Sequence, residues 1–508
     1  MQLRRIGGFQ AMIAVLALMS GCVGLPRHVE KLRSEALPNP EVTTLGRIIA
    51  LEEEGHKHLS GIRVLSSGEE VLADLIALAD HAERTLDIQY YIIHQDDSAR
   101  LLLHHLRLAA DRGVRVRVLV DDLNTAGEDR RFLHLSEHTN MEVRVFNPFP
   151  GGRFATWTRF VASAGDMRRI NHRMHNKLFV ADNALAITGG RNIGDQYFTR
   201  DPFSNFIDLD VVAAGPIVPE LSASFDAFWN SKYAYPIASV ATPVSAEPAS
   251  ATPLDAAVSQ NANRLAHELE SGDVQLVWVP ATVLADGPAK IASESSPEEE
   301  ETIANNLSAL MRSAKDELIV ISAYFVPGKE GMDMMRDLTN KGVSIRILTN
   351  SLASTDSPLV HTGYSRYRAP LLKLGVELSE VRPKLGQKRA RFHPFRSSNA
   401  SLHAKALVID QRTVFIGSMN MDARSAHTNS ELGLVIRSAE IARQVTGLLD
   451  DISADGSYRL QLAEHGDKIE WISGEPGSEK TWYSDPETTR LQRLTLKILA
   501  PFAPEELL

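Results

Sequence analysis

Two histidines stand out, His175 and His403. Each is followed two residues on by a lysine, Lys177 and Lys405, and each of those five residues on by an aspartate, Asp182 and Asp410. In an extended chain, residues i and i+2 project from one face, so each imidazole lies beside an ammonium. That pair suits phosphoryl transfer. An imidazole attacks phosphorus or moves a proton near neutral pH, while an ammonium holds phosphate oxygens as a point charge. The aspartates have the opposite parity. In an unbroken strand they would face away from the histidines, so although they complete the pattern with the catalytic set they read as supporting groups. A metal is not expected, because His-x-Lys offers one ligand and one repelling cation, and no CxxC, HExxH or P-loop pattern occurs in the chain. No cofactor is expected either. One copy of the pattern could be an ordinary strand histidine satisfied in a core. Two intact copies, each in an apolar run and each trailed by a Gly/Asn turn, argue against that reading.

Carboxylates able to orient the imidazoles lie further on. Asp208, in Asn205-Phe206-Ile207-Asp208, and Glu431, in Thr428-Asn429-Ser430-Glu431, each begin a second apolar run after the pattern. A carboxylate on the far ring nitrogen fixes the tautomer and stabilises an imidazolium. Asn192, after Gly189-Gly190-Arg191, and Asn420, after Gly417-Ser418-Met419, could donate to phosphate oxygens that gain charge during reaction.

These residues need a scaffold that repeats. Upstream of the first pattern, 86–91 reads as a strand, 101–110 as a helix and 114–120 as a strand. Upstream of the second, 318–323, 332–340 and 343–348 repeat that order, with Gly113 answering Gly342. Strands alternating with amphipathic helices predict α/β architecture, here two lobes that are versions of one unit, each a mostly parallel sheet flanked by helices, with the site where the lobes meet. At 508 residues and 44% apolar content the chain can fill both cores. The expected division is a leader at 1–21, a tether and lead-in helix at 22–57, a first lobe at 58–234, an Ala/Ser/Pro-rich linker at 235–263 and a second lobe at 264–508. Phe228, Trp229 and Tyr233 read as packing at the end of the first lobe.

The chain starts with Arg4-Arg5, then a mostly apolar run at 6–19, then Ser20-Gly21-Cys22. This has the order of a lipoprotein signal, and the run is short for a transmembrane span. Cys22 is the only cysteine, which excludes an internal disulfide and suits a lipidated sulfur. The expectation is a lipid-anchored protein of a bacterial envelope facing the periplasm, with Val23 after the cysteine pointing to the outer membrane.

A net charge of −10 disfavours a nucleic-acid binder. Locally the balance reverses. From 144 to 173 six arginines face the lone Asp166, interleaved with Phe146, Phe149, Phe154, Trp157 and Phe160. From 382 to 396 six basic residues meet no acidic one. Each stretch precedes a histidine pattern, and such stretches suit either an anionic lipid surface or a solvated loop with its rings tucked beneath.

The doubled His-x-Lys pattern resembles the signature of the phospholipase D superfamily, and the wording around it is similar to that of bacterial cardiolipin synthases of the C type. The stretches that carry this are Arg173-Met174-His175-Asn176-Lys177, Gly189-Gly190-Arg191-Asn192-Ile193-Gly194-Asp195, Ser401-Leu402-His403-Ala404-Lys405 and Phe415-Ile416-Gly417-Ser418-Met419-Asn420. The resemblance covers about residues 58–508. It implies metal-independent phosphatidyl transfer in two steps, with His175 as nucleophile and His403 as acid/base. Phospholipids would be the partners: phosphatidylglycerol as acceptor, and phosphatidylethanolamine or a second phosphatidylglycerol as donor. The same signature also serves phospholipases and nucleases. A silent lipid-binding lipoprotein would be expected to carry a broken one.

Overall fold

The computed structural model describes residues 24–26, 28–241, 263–292, 302–384, 399–464, 466–474 and 477–499. Cys22 and its leader, most of the linker, and the second basic stretch from 385 on lie outside the described residues.

The first half of the chain supplies β1 (Ser60–Leu65), β2 (Thr85–Tyr90), β3 (Arg115–Asp121), β4 (Met141–Phe146), β5 (Leu178–Ala181), β6 (Leu185–Gly189), β7 (Ser204–Ile207), β8 (Asp210–Ala214) and β9 (Ala234–Pro236), and β10 (Val277–Val279) joins them from beyond the linker. All but β7 form one sheet in the order β10-β1-β8-β6-β5-β2-β3-β4-β9. The second half repeats the plan with β11 (Ala281–Ala285), β12 (Glu317–Ser322), β13 (Ser344–Asn350), β14 (Glu377–Val381), β15 (Asn399–Leu402), β16 (Lys405–Ile409), β17 (Thr413–Gly417), β18 (Leu432–Arg437), β19 (Ser457–Leu462), β20 (Ile469–Ser473) and β21 (Lys480–Trp482). All but β15 form a sheet in the order β11-β18-β17-β16-β12-β13-β14-β19-β20-β21.

The two lobes and their α/β character match the expectation. The mostly parallel sheets do not. Within the two sheets, only β2-β3-β4 and β12-β13-β14 run parallel among the described strands. There the helices Asp97–Asp111 and Gly328–Asn340 carry the chain back across the sheet. The signature strands return by tight turns instead. Asp182 and Asn183 take φ of +52° and +51°, Asp410 and Gln411 φ of +51° and +52°, and these turns make β5-β6 and β16-β17 antiparallel.

Three expected boundaries also move. The first lobe continues past 234, since β9 pairs with β4 through Tyr235 and Pro236 and Ile237 is buried in its core. The helix Arg264–Ser271 sends Glu268 to Arg63 at 2.6 Å, and β10 pairs with β1, so the second lobe begins after Pro280 rather than at 264. The stretch read as a tether is bound to the first lobe from Lys31 on. Lys31 Nζ donates to the Ala234 carbonyl at 2.9 Å, and the Ala36 N–H donates to Asp226 at 2.8 Å. Phe228 and Trp229 are fully buried, the latter under the Arg144 guanidinium at 4.2 Å.

The lobes are stitched by backbone. β7 of the first pairs in parallel with β15 of the second, and Met174 bridges Ser430 in the same way. One apolar core runs through the junction, with Leu178, Val180 and Val211 of the first sheet packed with Ile319, Ala406, Ile416 and Leu434 of the second.

Candidate active site

The cross-lobe pairings place the histidines. The His175 N–H donates to the Ser430 carbonyl at 2.9 Å, and the His403 N–H to the Ile207 carbonyl at 2.8 Å. Each histidine is thereby set beside the residue that follows its backbone partner in the other lobe. His175 Nδ1 lies 2.9 Å from Glu431 Oε2, and His403 Nδ1 lies 2.5 Å from Asp208 Oδ2. The two carboxylates singled out in the sequence are thus brought to the imidazoles, each to the histidine of the opposite lobe. A carboxylate on Nδ1 leaves Nε2 as the reacting nitrogen.

Lys177 and Lys405 fold back on their own histidines. Lys177 Nζ donates to the His175 carbonyl at 2.7 Å, and Lys405 Nζ donates to the His403 carbonyl and lies 2.9 Å from its Nδ1. Asn192 and Asn420 are held alike. Their Oδ1 atoms accept the N–H of Ile92 at 3.1 Å and of Tyr324 at 3.4 Å, which leaves the amide NH2 as the donor end. In Asn192 that end reaches the Tyr197 hydroxyl at 3.0 Å.

Asp182 and Asp410 are not brought to the site. The strands break before them, and each carboxylate caps a loop at the far end of its sheet. Asp182 accepts the N–H groups of Glu83, Arg84 and Thr85 at 2.8–2.9 Å, and Asp410 those of Lys315, Asp316 and Glu317 at 2.8–3.1 Å. Their grouping with the catalytic residues is corrected on this geometry.

The lobes differ where it matters for chemistry. Asp208 uses both oxygens, one on His403 and one on the Leu209 N–H at 2.8 Å. Burial opposes its charge, but His403, and then Lys405 and Arg191, outweigh burial and hold the carboxyl down at about 2. Glu431 gives one oxygen to both His175 and the Ser418 hydroxyl, while Oε1 has no hydrogen-bond partner among the described residues. Burial, only partly offset by Lys177, pushes it up to about 7. A glycine underlies the contrast. A Cβ on Gly190 would sit 2.1 Å from Asp208 Oδ1, whereas the matching loop of the second lobe carries the hydroxyl of Ser418. Burial, then the ammonium groups of Lys177 and Lys405, push His175 well below the usual imidazole range. Burial and Lys405 also lower His403, but Asp208 opposes them. Burial, against the pull of Glu431, brings Lys177 down to about 7.

Several neighbours were not found in the sequence. Tyr91 stands edge-on to His175 at 4.9 Å and Tyr197 edge-on to His403 at 5.3 Å. Arg424 reaches across the lobes to the Asn171 side chain at 3.0 Å and faces His175. Tyr91 and Tyr197 sit in loops and Arg424 in the one-turn helix Ala423–His427, all too short for a periodic signal; only the position of Arg424, four residues past Asn420, could have marked it.

Duplicated mixed sheets meeting at two carboxylate-backed imidazoles, with an ammonium beside each, define a phosphodiester-handling protein of the phospholipase D class. A family model described as "Cardiolipin synthase, PLD-like domain" matches residues 75–229 and 307–452. Cardiolipin synthase C of Escherichia coli is 38% identical over 465 residues, 89% of this chain and 96% of its own length. An uncharacterised protein of Helicobacter pylori is 32% identical, over 94% of this chain and 95% of its own. The crystal structure of a phosphatidylserine synthase of Haemophilus influenzae shares the fold, with a TM-score of 0.57 over 91% of this chain and 100% of that one, at 13% identity. The chain belongs to the phospholipase D-like cardiolipin synthase family, and with it to the phosphatidyltransferases of the phospholipase D type. Among the described residues no helix is long and apolar enough to cross a membrane.

Proposed function

We propose that this protein makes cardiolipin by moving a phosphatidyl group from a donor phospholipid to phosphatidylglycerol through a phosphatidyl-histidine on His175. The observation that carries the assignment is the unequal setting of the two imidazoles. His175, near two ammoniums and backed by a carboxyl that titrates near neutrality, is favoured in its neutral form, which a nucleophile requires. His403, backed by an ionised Asp208, is better able to carry a proton.

In the first step His175 Nε2 attacks phosphorus, the bond from phosphorus to the headgroup oxygen breaks, and His403 gives its Nε2 proton to the departing alkoxide. In the second, neutral His403 takes the proton of a terminal hydroxyl of phosphatidylglycerol, whose oxygen attacks phosphorus and frees His175. Lys177, Lys405, Asn192 and Asn420 hold the phosphate oxygens through both steps. Phosphatidylethanolamine is the favoured donor, on the C-type resemblance. Attachment through a lipidated Cys22 to a membrane facing the periplasm, with outer-membrane sorting, completes the reading.

The test uses vesicles of phosphatidylglycerol, with and without phosphatidylethanolamine, in chelator, and identifies lipid products by mass spectrometry. Cardiolipin from the parent, and none from His175→Ala or His403→Ala, is expected. Phosphatidic acid in its place would mean that water is the acceptor and the enzyme a phospholipase. A trapped phospho-adduct mapping to His403 would reverse the two histidine roles.

A further inference from the structure

The helix Thr156–Ala162 is built inside out. Two of its polar residues turn inward: Arg159 is fully buried, its guanidinium donating to the Asp122 carbonyl and to Thr125 Oγ1 at 3.1 Å, and Thr158 Oγ1 donates to the Gly152 carbonyl at 2.6 Å. Its large apolar residues turn out: Trp157 is 69% and Val161 60% exposed, with Phe154 at 71% just before the helix and Met167 at 47% just after it. Single exposed apolar residues are ordinary on a protein surface, whereas a contiguous set held out by a buried arginine is the mark of an apolar partner. The arrangement is fixed by packing. Gly152 takes φ of +67°, and a Cβ there would lie 2.3 Å from the Thr158 carbonyl oxygen, so the turn that seats the helix tolerates only glycine.

The position of this face identifies the partner. Arg159 anchors on Asp122, which follows β3, and stacks on Phe149, just beyond the end of β4. His175 lies beyond that same edge of the sheet, since Gln89, near the end of β2, pairs with Leu178. From Met167 the chain runs through the short helix Met167–Asn171 to Arg173, two residues before His175. Of the six arginines from 144 to 173, Arg144, Arg153, Arg159 and Arg173 are paired with carboxylates of the lobe and Arg169 with Asp166, which leaves Arg168 as the exposed cation beside this face. Resting on the phospholipid reading above, we infer that this helix is a membrane-docking element. It seats Phe154, Trp157 and Val161 in the interfacial layer of an anionic phospholipid bilayer and sets the catalytic edge of the first lobe against the headgroups. Aromatic rings favour that layer, and Arg168 beside them meets lipid phosphates.

The experiment follows Trp157 in the full-length protein on vesicles of phosphatidylglycerol and phosphatidylcholine whose acyl chains are brominated or not. Acyl-chain bromine is expected to quench a component of tryptophan fluorescence that is absent in Trp157→Phe. The other four tryptophans are common to both proteins, and an apolar N-terminus alone would hold the chain on vesicles without bringing Trp157 to the quencher. Equal quenching in parent and variant overturns the proposal and leaves a protein partner for this face. In a second arm, Phe154→Ser with Val161→Ser is expected to lower turnover of vesicle lipid at least tenfold while turnover of a short-chain phospholipid below its micelle threshold stays unchanged. An equal loss on both substrates, or on neither, also overturns it. If the parent turns over no lipid at all, the function proposed above falls, and the quenching arm still decides the docking.

Discussion

Asp208 and Glu431 occupy matching places and are electrostatically unlike. Asp208→Asn removes the charge that stabilises a protonated His403, so a loss of about 10³- to 10⁴-fold in turnover is expected, in line with the loss of the orienting aspartate in a triad. Glu431→Gln removes a carboxyl that is part-protonated near neutrality, and its cost at pH 7 is expected to stay below about 100-fold, on the scale of a weakened general-base contact. Steady-state turnover of the two variants side by side checks the ranking, and equal losses would sink it. Lys177 gives a second prediction at this scale. Its ordinary value is 10.5, and burial brings it to about 7 in the folded protein. Between those values the unfolded chain binds the proton more, so the stability of the parent rises with pH across the window. Replacing the buried ammonium by Lys177→Met is therefore expected to raise Tm by the equivalent of a few kcal/mol, roughly, at pH 7, with the gain shrinking towards pH 10.5 and transfer abolished. Thermal melts across pH read it directly. What the sequence showed here was residue type and parity: histidine beside lysine, and a carboxylate at the head of the next run. That each carboxylate serves the opposite lobe was not legible, because no local pattern records which chain segment lies across an interface.

The turns that close the signature strands show what an element asks of a residue. Asp182 and Asp410 hold positive φ and gather three backbone N–H groups each, which aligns the strand that starts β2 or β12 with the end of β5 or β16. Asp182 is fully buried and Asp410 partly exposed. Without its carboxylate the first loop strands the buried Thr85 N–H while the second passes its donors largely to water, so Asp182→Ala is expected to cost about 2 kcal/mol and Asp410→Ala about 1 kcal/mol. Denaturant titration measures both, and the turnover of the protein that remains folded should be near that of the parent. A loss of turnover without a loss of stability would return these residues to the chemistry. The strands and helices of the repeat were legible to within a few residues, because the helices Asp97–Asp111 and Gly328–Asn340 carry a strong amphipathic period. Sheet direction was not. A short apolar run reads the same whether its neighbour is parallel or antiparallel, and here turn residues rather than strand residues decide it.

Duplication suggests two bodies able to move apart, and the packing argues the reverse. Inter-domain contacts are usually small and polar, and lobes joined that way unfold separately. Here the core that contains Leu178 and Val211 also contains Ile319, Ala406 and Leu434, and strands β7 and β15 share a ladder across the boundary. The site depends on that continuity, since the Nδ1 of each imidazole meets a carboxylate of the other lobe. A lobe that opened would lose both pairs at once and expose apolar surface worth about 25 cal/mol per Å². Calorimetry is therefore expected to show a single unfolding transition covering both lobes. Ile416→Ala, a truncation in the shared core, should lower its midpoint by the equivalent of about 2–4 kcal/mol without splitting it. Two resolved transitions, only one of them shifted by the substitution, would mean that the lobes are stable apart and that the catalytic pairs assemble only when they dock.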